Sequence, residues 1–383
     1  MLRMTIPVTR PFTGDEEKNA TAEVVESGWL TQGPRVTEFE NKVASYVGAS
    51  HAIATTSCTT SLQLALELCN ITPGDEVILP SYTWIATANV IRMVGAQPVF
   101  VDIDLDTMNI SPAALKGAIT KKTRAILPVH QFGLPADLDA ISEIAKPHGI
   151  TIVEDAACAI GSSYKNQPVG GLGNITCFSF HPRKVITTGE GGMLVTEDEN
   201  MARSARILLN HGASVSDIAK HKADTVEALL AEEFCEVGYN YRMTNLQGAL
   251  GVVQMDRLAF ILAARNEKAE LYSDAFAKLP FVIPPETPKY ATPNWQSYAV
   301  RICDECPVDR NTVAQRLLNV GIACRPAYMA CHVQPEYRGM VSDTNLPNTM
   351  KALQSLLILP LYPQMTEAEQ SYVIKALSDA TSE

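Results

Sequence analysis

No apolar run in this chain stands out as long enough to cross a bilayer, and Met1-Leu2-Arg3-Met4-Thr5-Ile6-Pro7 lacks the extended apolar centre of a secretory signal. The expectation is a cytoplasmic protein with no membrane partner. Positive charge is scarce: 31 Lys and Arg stand against 42 Asp and Glu, a net charge of −11 at pH 7. That balance argues against a sequence-independent grip on nucleic-acid phosphate, so any anionic ligand must be held by local groups. A disulfide framework is missing as well, because nine cysteines, an odd number, are scattered through 383 residues and read as reduced core thiols. Cys303 and Cys306 form one C-x-x-C, with Cys324, Cys331 and His332 further on, but no second close pair completes a zinc pattern and no metal is expected. What remains is an ordinary globular composition, 46% hydrophobic and 19% charged, sufficient for one large domain and a smaller one.

From His51 to about Asn210 short apolar runs alternate with amphipathic stretches, the α/β pattern of a doubly wound, mostly parallel sheet. Seven strands are expected at residues 51–54, 76–79, 98–101, 125–128, 151–153, 176–180 and 193–196, with helices over 60–68, 85–93, 138–148 and 200–209. Residues 212–237 are polar and of mixed charge and read as a surface excursion, partly helical. A long helix is expected from about residue 245 toward 272, followed by a linker or edge approach marked by Pro280, Pro284, Pro285, Pro288 and Pro293. Beyond it come a strand at 298–302, helices over 312–319 and 367–378, and the crossing Leu359-Pro360-Leu361-Tyr362-Pro363. The expected division is a large domain over 1–245, a connecting helix over 246–280 and a small α+β domain over 281–383.

Several constellations carry chemistry. Lys184 ends Phe178-Ser179-Phe180-His181-Pro182-Arg183-Lys184, directly after an apolar strand, and Gly189, Gly191 and Gly192 follow. Asp155 closes Ile152-Val153-Glu154-Asp155 at the strand end where open α/β sheets place ligand groups. Singly, the lysine reads as a solvated loop cation and the aspartate as a turn or cap. Together they are the imine-forming amine and the pyridinium partner that a pyridoxal-phosphate enzyme requires. Thr55-Thr56-Ser57-Cys58-Thr59-Thr60-Ser61 leaves a strand and opens a helix, which makes either an anion cradle or an ordinary N-cap. Trp84 in Ser81-Tyr82-Thr83-Trp84 reads as a stacking platform or as core filling. Gly189-Glu190-Gly191-Gly192 lacks the spacing of a phosphate fingerprint and reads as a turn between strands. His130 is open between substrate contact, proton carrier and interior ring. Arg183, beside Lys184, is a cation that would lower the lysine's pKa, weakened by the opposite facing of adjacent residues.

The order of these blocks resembles the DegT-type sugar-nucleotide aminotransferases, pyridoxal-phosphate enzymes of the aspartate-aminotransferase fold (fold type I). The resemblance runs through Gly28-Trp29-Leu30-Thr31-Gln32-Gly33-Pro34, Phe39-Glu40, Ser57-Cys58-Thr59, Pro73-Gly74-Asp75-Glu76-Val77-Ile78 and Pro80-Ser81-Tyr82-Thr83-Trp84. It continues through Glu154-Asp155-Ala156-Ala157, the lysine segment, Gly238-Tyr239-Asn240-Tyr241-Arg242-Met243 and Leu359-Pro360-Leu361-Tyr362-Pro363, and is most similar to perosamine-synthase-type members. It implies that Lys184 binds the cofactor aldehyde and shuttles protons and that Asp155 partners the pyridine nitrogen. It further implies that Trp84 stacks on the ring, and that the Cys58 N–H, Thr59 and Ser179 hold the phosphate. Asn240 would reach the phosphate across the interface of a homodimer with shared sites. Cys158 stands near the cofactor's phenolic oxygen, where many members carry Gln or His. Lys184 itself favours transamination, since relatives that dehydrate sugars carry histidine there.

The expected activity is therefore transamination of a keto-sugar nucleotide with glutamate, at carbon 4 of a 4-keto-6-deoxy sugar, for surface polysaccharide such as lipopolysaccharide O-antigen or another glycoconjugate. A rival is an aminotransferase acting on a cyclitol or another non-nucleotide ketone; a second rival is a non-catalytic regulatory protein that kept the fold. Arg242 and Arg325 are candidate cations at the site mouth, and His130, Tyr328 and His332 are the candidate substrate contacts.

Overall fold

The computed structural model describes residues 5–215, 232–326 and 330–382. The first strands, β1 (His51–Thr55), β2 (Glu76–Pro80), β3 (Gln97–Val101), β4 (Thr123–Ile126) and β5 (Thr151–Asp155), are each about five residues, with all but the first one or two buried in most of them. A two-residue hairpin, β6 (Ser163–Tyr164) and β7 (Gln167–Pro168), precedes β8 (Ile175–Ser179) and β9 (Gly192–Thr196). The large sheet has seven strands in the order β1-β9-β8-β5-β4-β2-β3. The β2–β3, β2–β4, β4–β5 and β5–β8 pairs are parallel, and only β9 runs antiparallel to its neighbours β8 and β1. Continuous apolar strands such as Val77-Ile78-Leu79 suit a sheet covered on both faces. On one face pack helices at Cys58–Leu68, Ile85–Met93 and Glu199–Leu208; on the other lie Pro34–Val47 and the long helix Asn245–Phe276.

A smaller antiparallel sheet follows, built from β10 (Val282–Ile283), β12 (Tyr298–Ile302), β13 (Arg325–Pro326) and β14 (Leu356–Leu359) in the order β10-β12-β14-β13. It shares an apolar cluster with Tyr272 and Phe276 of the long helix and Leu377 of the last helix, Glu367–Ala380. Ile6 belongs to that cluster, since its N–H donates to Gly321 O at 2.9 Å and its carbonyl accepts from Ala323 N at 2.9 Å. A third, three-stranded sheet pairs β6 and β7 with β11 (Ala291–Thr292), an element with no forerunner in the sequence reading.

The long helix is 32 residues and starts at a capping box, with Thr244 Oγ1 accepting from Gln247 N and the Gln247 side chain returning to Thr244 N. By length and composition it is apolar enough to cross a membrane, which corrects the expectation that no stretch reaches that length. One face of it packs against protein, with Phe260 and Leu271 left exposed on the other: a Cβ on Gly248 would lie 2.6 Å from Val36 N, and one on Gly251 would lie 2.7 Å from the Phe39 ring. The two glycines thus let Pro34–Val47 pack backbone-close against it. Arg265 on the same helix is buried and has no carboxylate partner among the described residues; its Nη1 donates to Trp295 O at 2.9 Å and Leu361 O at 3.2 Å, and burial lowers its pKa to about 10.

Other differences from the sequence reading have local causes. The helix expected over 138–148 is Leu138–Ala145 with a 3-10 turn after it, because Pro147 cannot supply the next N–H. The strand expected at 125–128 begins earlier, at Thr123, where pairing with Glu76 starts. Helices Asp15–Ser27, Pro34–Val47 and Pro112–Ala118 were absent from that reading although glycine C-caps with φ 72° and 79° (Gly28, Gly48) end the first two. Most of the expected excursion over 212–237 lies outside the described residues. The nine cysteines are free, and Cys303, Cys306, Cys324 and Cys331 each approach a different backbone carbonyl rather than one another.

Asp102, just past β3, joins the layers. Its carboxylate accepts from Asn348 N at 2.9 Å, Thr349 N at 2.8 Å and Thr349 Oγ1 at 2.8 Å, which satisfies the exposed N–H groups of helix Pro347–Ser355 from another part of the chain. Asp102→Ala is expected to destabilise the fold by about 1–2 kcal/mol, the cost of a lost cap, read as a lower denaturant midpoint at unchanged slope.

Candidate functional site

Thr55, Ser81, Asp155, Ser179 and Gly192 all lie at one edge of the large sheet, the carboxyl end of its parallel strands, where α/β sheets gather ligand groups. Asp155 is fixed there by both neighbours: its N–H donates to Pro128 O at 2.9 Å, and the next residue, Ala156, donates to Cys177 O at 2.9 Å. Its side chain is 5% exposed, and its oxygens accept from Thr87 Oγ1 at 2.7 Å and Ala157 N at 3.1 Å. Thr87 is in turn 3.0 Å from Thr83 Oγ1. Thr87 was missed by sequence reasoning; it sits three residues into the helix after Trp84, and nothing in its local pattern separates it from a packing residue.

Lys184 projects from a turn that closes on the end of its own strand. Lys184 N donates to His181 O at 2.8 Å, Thr188 N to Phe180 O at 2.9 Å, and Val185 and Ile186 are buried anchors. The long helix stitches this turn from outside, since Gln254 Oε1 accepts from Thr187 N at 3.1 Å, and Gln296 Nε2 donates to Arg183 O at 2.8 Å. The amine reaches Cys158, with Nζ donating to Sγ at 3.1 Å. Burial pushes the Lys184 pKa down, but Cys158 and Asp155 push it up and prevail, so the net shift is upward. This overturns the expected lowering by Arg183: the arginine side chain is exposed, and its carbonyl rather than its guanidinium is what the turn uses.

Cys158 is held by its backbone. Asn294, 2% exposed, donates through Nδ2 to Cys158 O and Ile160 O, both at 2.7 Å, so the loop after Asp155 is pinned from a remote segment. Cys58 opens helix Cys58–Leu68 and is buried; burial first, then Asp155, raises its thiol pKa well above the ordinary value. Ser57 caps that helix by accepting from Thr60 N at 3.2 Å, as the N-cap reading required. The N–H groups of Cys58 and Thr59 and the Thr59 hydroxyl have no hydrogen-bond partner among the described residues, which leaves the cradle reading its donors. Gly192 passes so close that a Cβ there would sit 2.3 Å from Ser57 C and 2.5 Å from Cys58 N. Ser179 is 8% exposed at the end of β8, its Oγ accepting from His181 N at 3.4 Å.

Trp84 is 63% exposed, which removes the core-filling alternative. Asn240 is exposed too, with no side-chain hydrogen bond among the described residues. The candidate substrate contacts fare differently. His130 is wholly buried; Ala136 N donates to Nδ1 at 3.0 Å, so Nε2 carries the hydrogen and donates to Glu154 Oε2 at 2.8 Å. It is an interior ring and not a substrate contact. His332 is 2% exposed, with Nδ1 2.6 Å from Ser81 Oγ and Nε2 3.3 Å from Asp343 Oδ1, and burial lowers its pKa against the pull of Asp343. It too is held in the interior. Tyr328 lies outside the described residues. Arg242 donates to Asn210 Oδ1 at 2.7 Å, while Arg325 is exposed on β13.

The model of the DegT/DnrJ/EryC1/StrS aminotransferase family matches residues 11–378. Among solved structures, Spr1654 of Streptococcus pneumoniae, named for a sugar aminotransferase and solved in PMP and PLP forms, is similar in its PMP form at 30% identity and TM-score 0.93, covering 98% of this chain and 99% of that one. DesV of S. venezuelae, solved with a ketimine intermediate, is similar at 31% identity and TM-score 0.89, covering 99% of both chains. PseC of Helicobacter pylori, an aminotransferase involved in pseudoaminic acid biosynthesis, is similar at 26% identity and TM-score 0.90, covering 98% of this chain and 99% of that one. The chain therefore belongs to the DegT/DnrJ/EryC1/StrS aminotransferase family, pyridoxal-phosphate enzymes of fold type I.

Proposed function

We propose that this aminotransferase moves an amino group from glutamate to a keto-sugar nucleotide, at carbon 4 of a nucleoside-diphosphate 4-keto-6-deoxy sugar, toward amino sugars of surface polysaccharide or another glycoconjugate. The observation that carries the proposal is the meeting of a lysine amine and a buried carboxylate at one sheet edge, beside an exposed indole and a helix N-terminus with unused N–H donors. Each is a group that pyridoxal phosphate needs, and the close pass of Gly192 under Ser57 and Cys58 leaves no room for a side chain beside the phosphate donors.

In this reading Cys58 N–H, Thr59 and Ser179 hold the phosphate, Trp84 covers the ring, Cys158 lies beside the ring's phenolic oxygen and Asp155 holds the ring nitrogen. When bound, the cofactor supplies an electron sink that stabilises charge at the donor's α-carbon. Lys184 Nζ, once unprotonated, is the base for the donor's α-proton. Asp155 keeps its orientation through Thr87 Oγ1 and Ala157 N, and Asn294 keeps the intervening loop from swinging away. Asn240, exposed and without a side-chain partner among the described residues, is assigned to the phosphate of a second copy, which makes the working enzyme a homodimer. The cytoplasm is its proposed location. Between the arginines named for the site mouth, the exposed Arg325 suits an anionic substrate better than Arg242, which is engaged with Asn210.

Purified protein is expected to absorb in the near-visible when loaded with pyridoxal phosphate, and borohydride is expected to fix the cofactor to Lys184. Lys184→Ala should lose that fixation and turnover with glutamate and a panel of keto-sugar nucleotides; turnover at the normal rate in this variant would overturn the assignment, and activity only with non-nucleotide ketones would replace the substrate. Thr87→Val removes one hydroxyl donor from Asp155 without changing side-chain volume. Since a hydrogen bond to a charged group is worth about 1.5–3 kcal/mol, kcat should fall roughly tenfold or more while the circular dichroism spectrum is unchanged. The direction of the Lys184 shift sets a pH dependence. A raised pKa keeps the amine protonated to higher pH, so cofactor uptake by the apoprotein, which needs the neutral amine, should accelerate with pH and still be rising at the ordinary lysine value. Stopped-flow uptake that levels off well below that value would contradict the shift.

A further inference from the structure

The Lys184–Cys158 contact suggests chemistry that transamination does not use. Nζ and Sγ are 3.1 Å apart, both residues are only partly buried, and each is held in place from behind. On the lysine side the Phe180–Thr188 turn is closed by Thr188 N and stitched by Gln254. On the cysteine side Asn294 grips Cys158 O. An amine nitrogen and an oxidisable sulfur already in contact on two firm supports need only close from 3.1 Å to bonding distance to join.

We propose that Cys158 and Lys184 form a reversible sulfur–nitrogen cross-link when the cofactor-free chain meets a hydroperoxide. In the first step the Cys158 sulfur attacks one peroxide oxygen; an S–O bond forms, the O–O bond breaks, the leaving hydroxide takes a proton from the Lys184 ammonium to give water, and the thiol proton is released to solvent. The sulfur has been oxidised by two electrons to a sulfenic acid, and Lys184 is left as the neutral amine. In the second step Nζ attacks that sulfur; an N–S bond forms, the S–O bond breaks, and hydroxide departs as water with a proton from nitrogen. Thiol, ammonium and hydrogen peroxide thus become a sulfenamide, two waters and one released proton. A thiol reverses the step by attacking sulfur and expelling the amine. The cross-link stops Cys158 from passing on to irreversible sulfinic acid, and it occupies the amine that cofactor capture requires.

The consequence for cofactor capture rests on the Lys184 assignment in the proposed function; the cross-link itself rests only on the contact. The test is peptide mass spectrometry of the apoprotein after mild hydrogen peroxide, with exposed Cys235 as the internal gauge of oxidant strength. The expected result is one joined peptide pair linking residues 158 and 184, lighter than the sum by about two hydrogen masses, absent in Cys158→Ser and in Lys184→Gln and removed by dithiothreitol. Chain loaded with pyridoxal phosphate beforehand should not form it. The proposal is overturned if Cys158 goes to sulfinic acid with Lys184 unlinked, if it pairs with Cys58 instead, or if it stays reduced at peroxide that oxidises Cys235. If the pair forms but the linked chain still develops the near-visible band with added cofactor, the cross-link stands and the Lys184 assignment falls.

Discussion

Everything at this site depends on holding an amine and a carboxylate near each other at the edge of a sheet without letting them collapse into an ordinary ion pair. The carboxylate of Asp155 is already engaged by Thr87 Oγ1 and Ala157 N, while the Lys184 amine is engaged by Cys158 Sγ. Each group thus has a partner of its own that orients it. Burial opposes the charged amine, and the surrounding sulfur and carboxylate more than offset that opposition.

That arrangement is possible because the supports come from distant parts of the chain. Three long-range amides do most of it: Gln254 to the Thr187 N–H, Gln296 to the Arg183 carbonyl, and Asn294 to the Cys158 carbonyl. Arg265 anchors the 295–296 backbone by donating to Trp295 O and Gln296 O, so the segment that carries Asn294 and Gln296 is itself tied to the long helix. The segment leading into the small antiparallel sheet and the large, mostly parallel one therefore meet through hydrogen bonds that also define the Lys184 turn. Glu40 plays a similar part at the other side, accepting from Ala54 N and pairing with Arg206, which explains a carboxylate buried in a helix that otherwise packs apolar residues.

Much of the frame was readable along the chain. Apolar runs bounded by turn residues marked the seven strands, and the positions of Asp155 at a strand end and of Thr59 and Lys184 beyond strand ends followed, because period and punctuation are local properties. The long helix was legible as a helix, but the expectation that no apolar stretch reaches membrane-crossing length did not hold for it by length and composition. The missed helices, Asp15–Ser27, Pro34–Val47, Pro112–Ala118 and Pro347–Ser355, are stabilised by packing onto other elements of the fold. His130 could not be resolved by spacing, for its role is set by Glu154 and Ala136 closing on both ring nitrogens.

The sequence by itself determined the α/β class, the candidate amine and carboxylate, and the hydroxyl-rich helix start, because those depend on residue type and on separations of a few positions. Tertiary structure alone decided that Trp84 stands in the open, that His130 and His332 are walled in, and that Thr87 and Cys158 are the immediate partners of Asp155 and Lys184. Cys158 lies 26 residues from Lys184 and Thr87 lies 68 from Asp155. Contacts at such separations are set by which strands become neighbours in the sheet, a property of the whole chain's packing that no local pattern encodes.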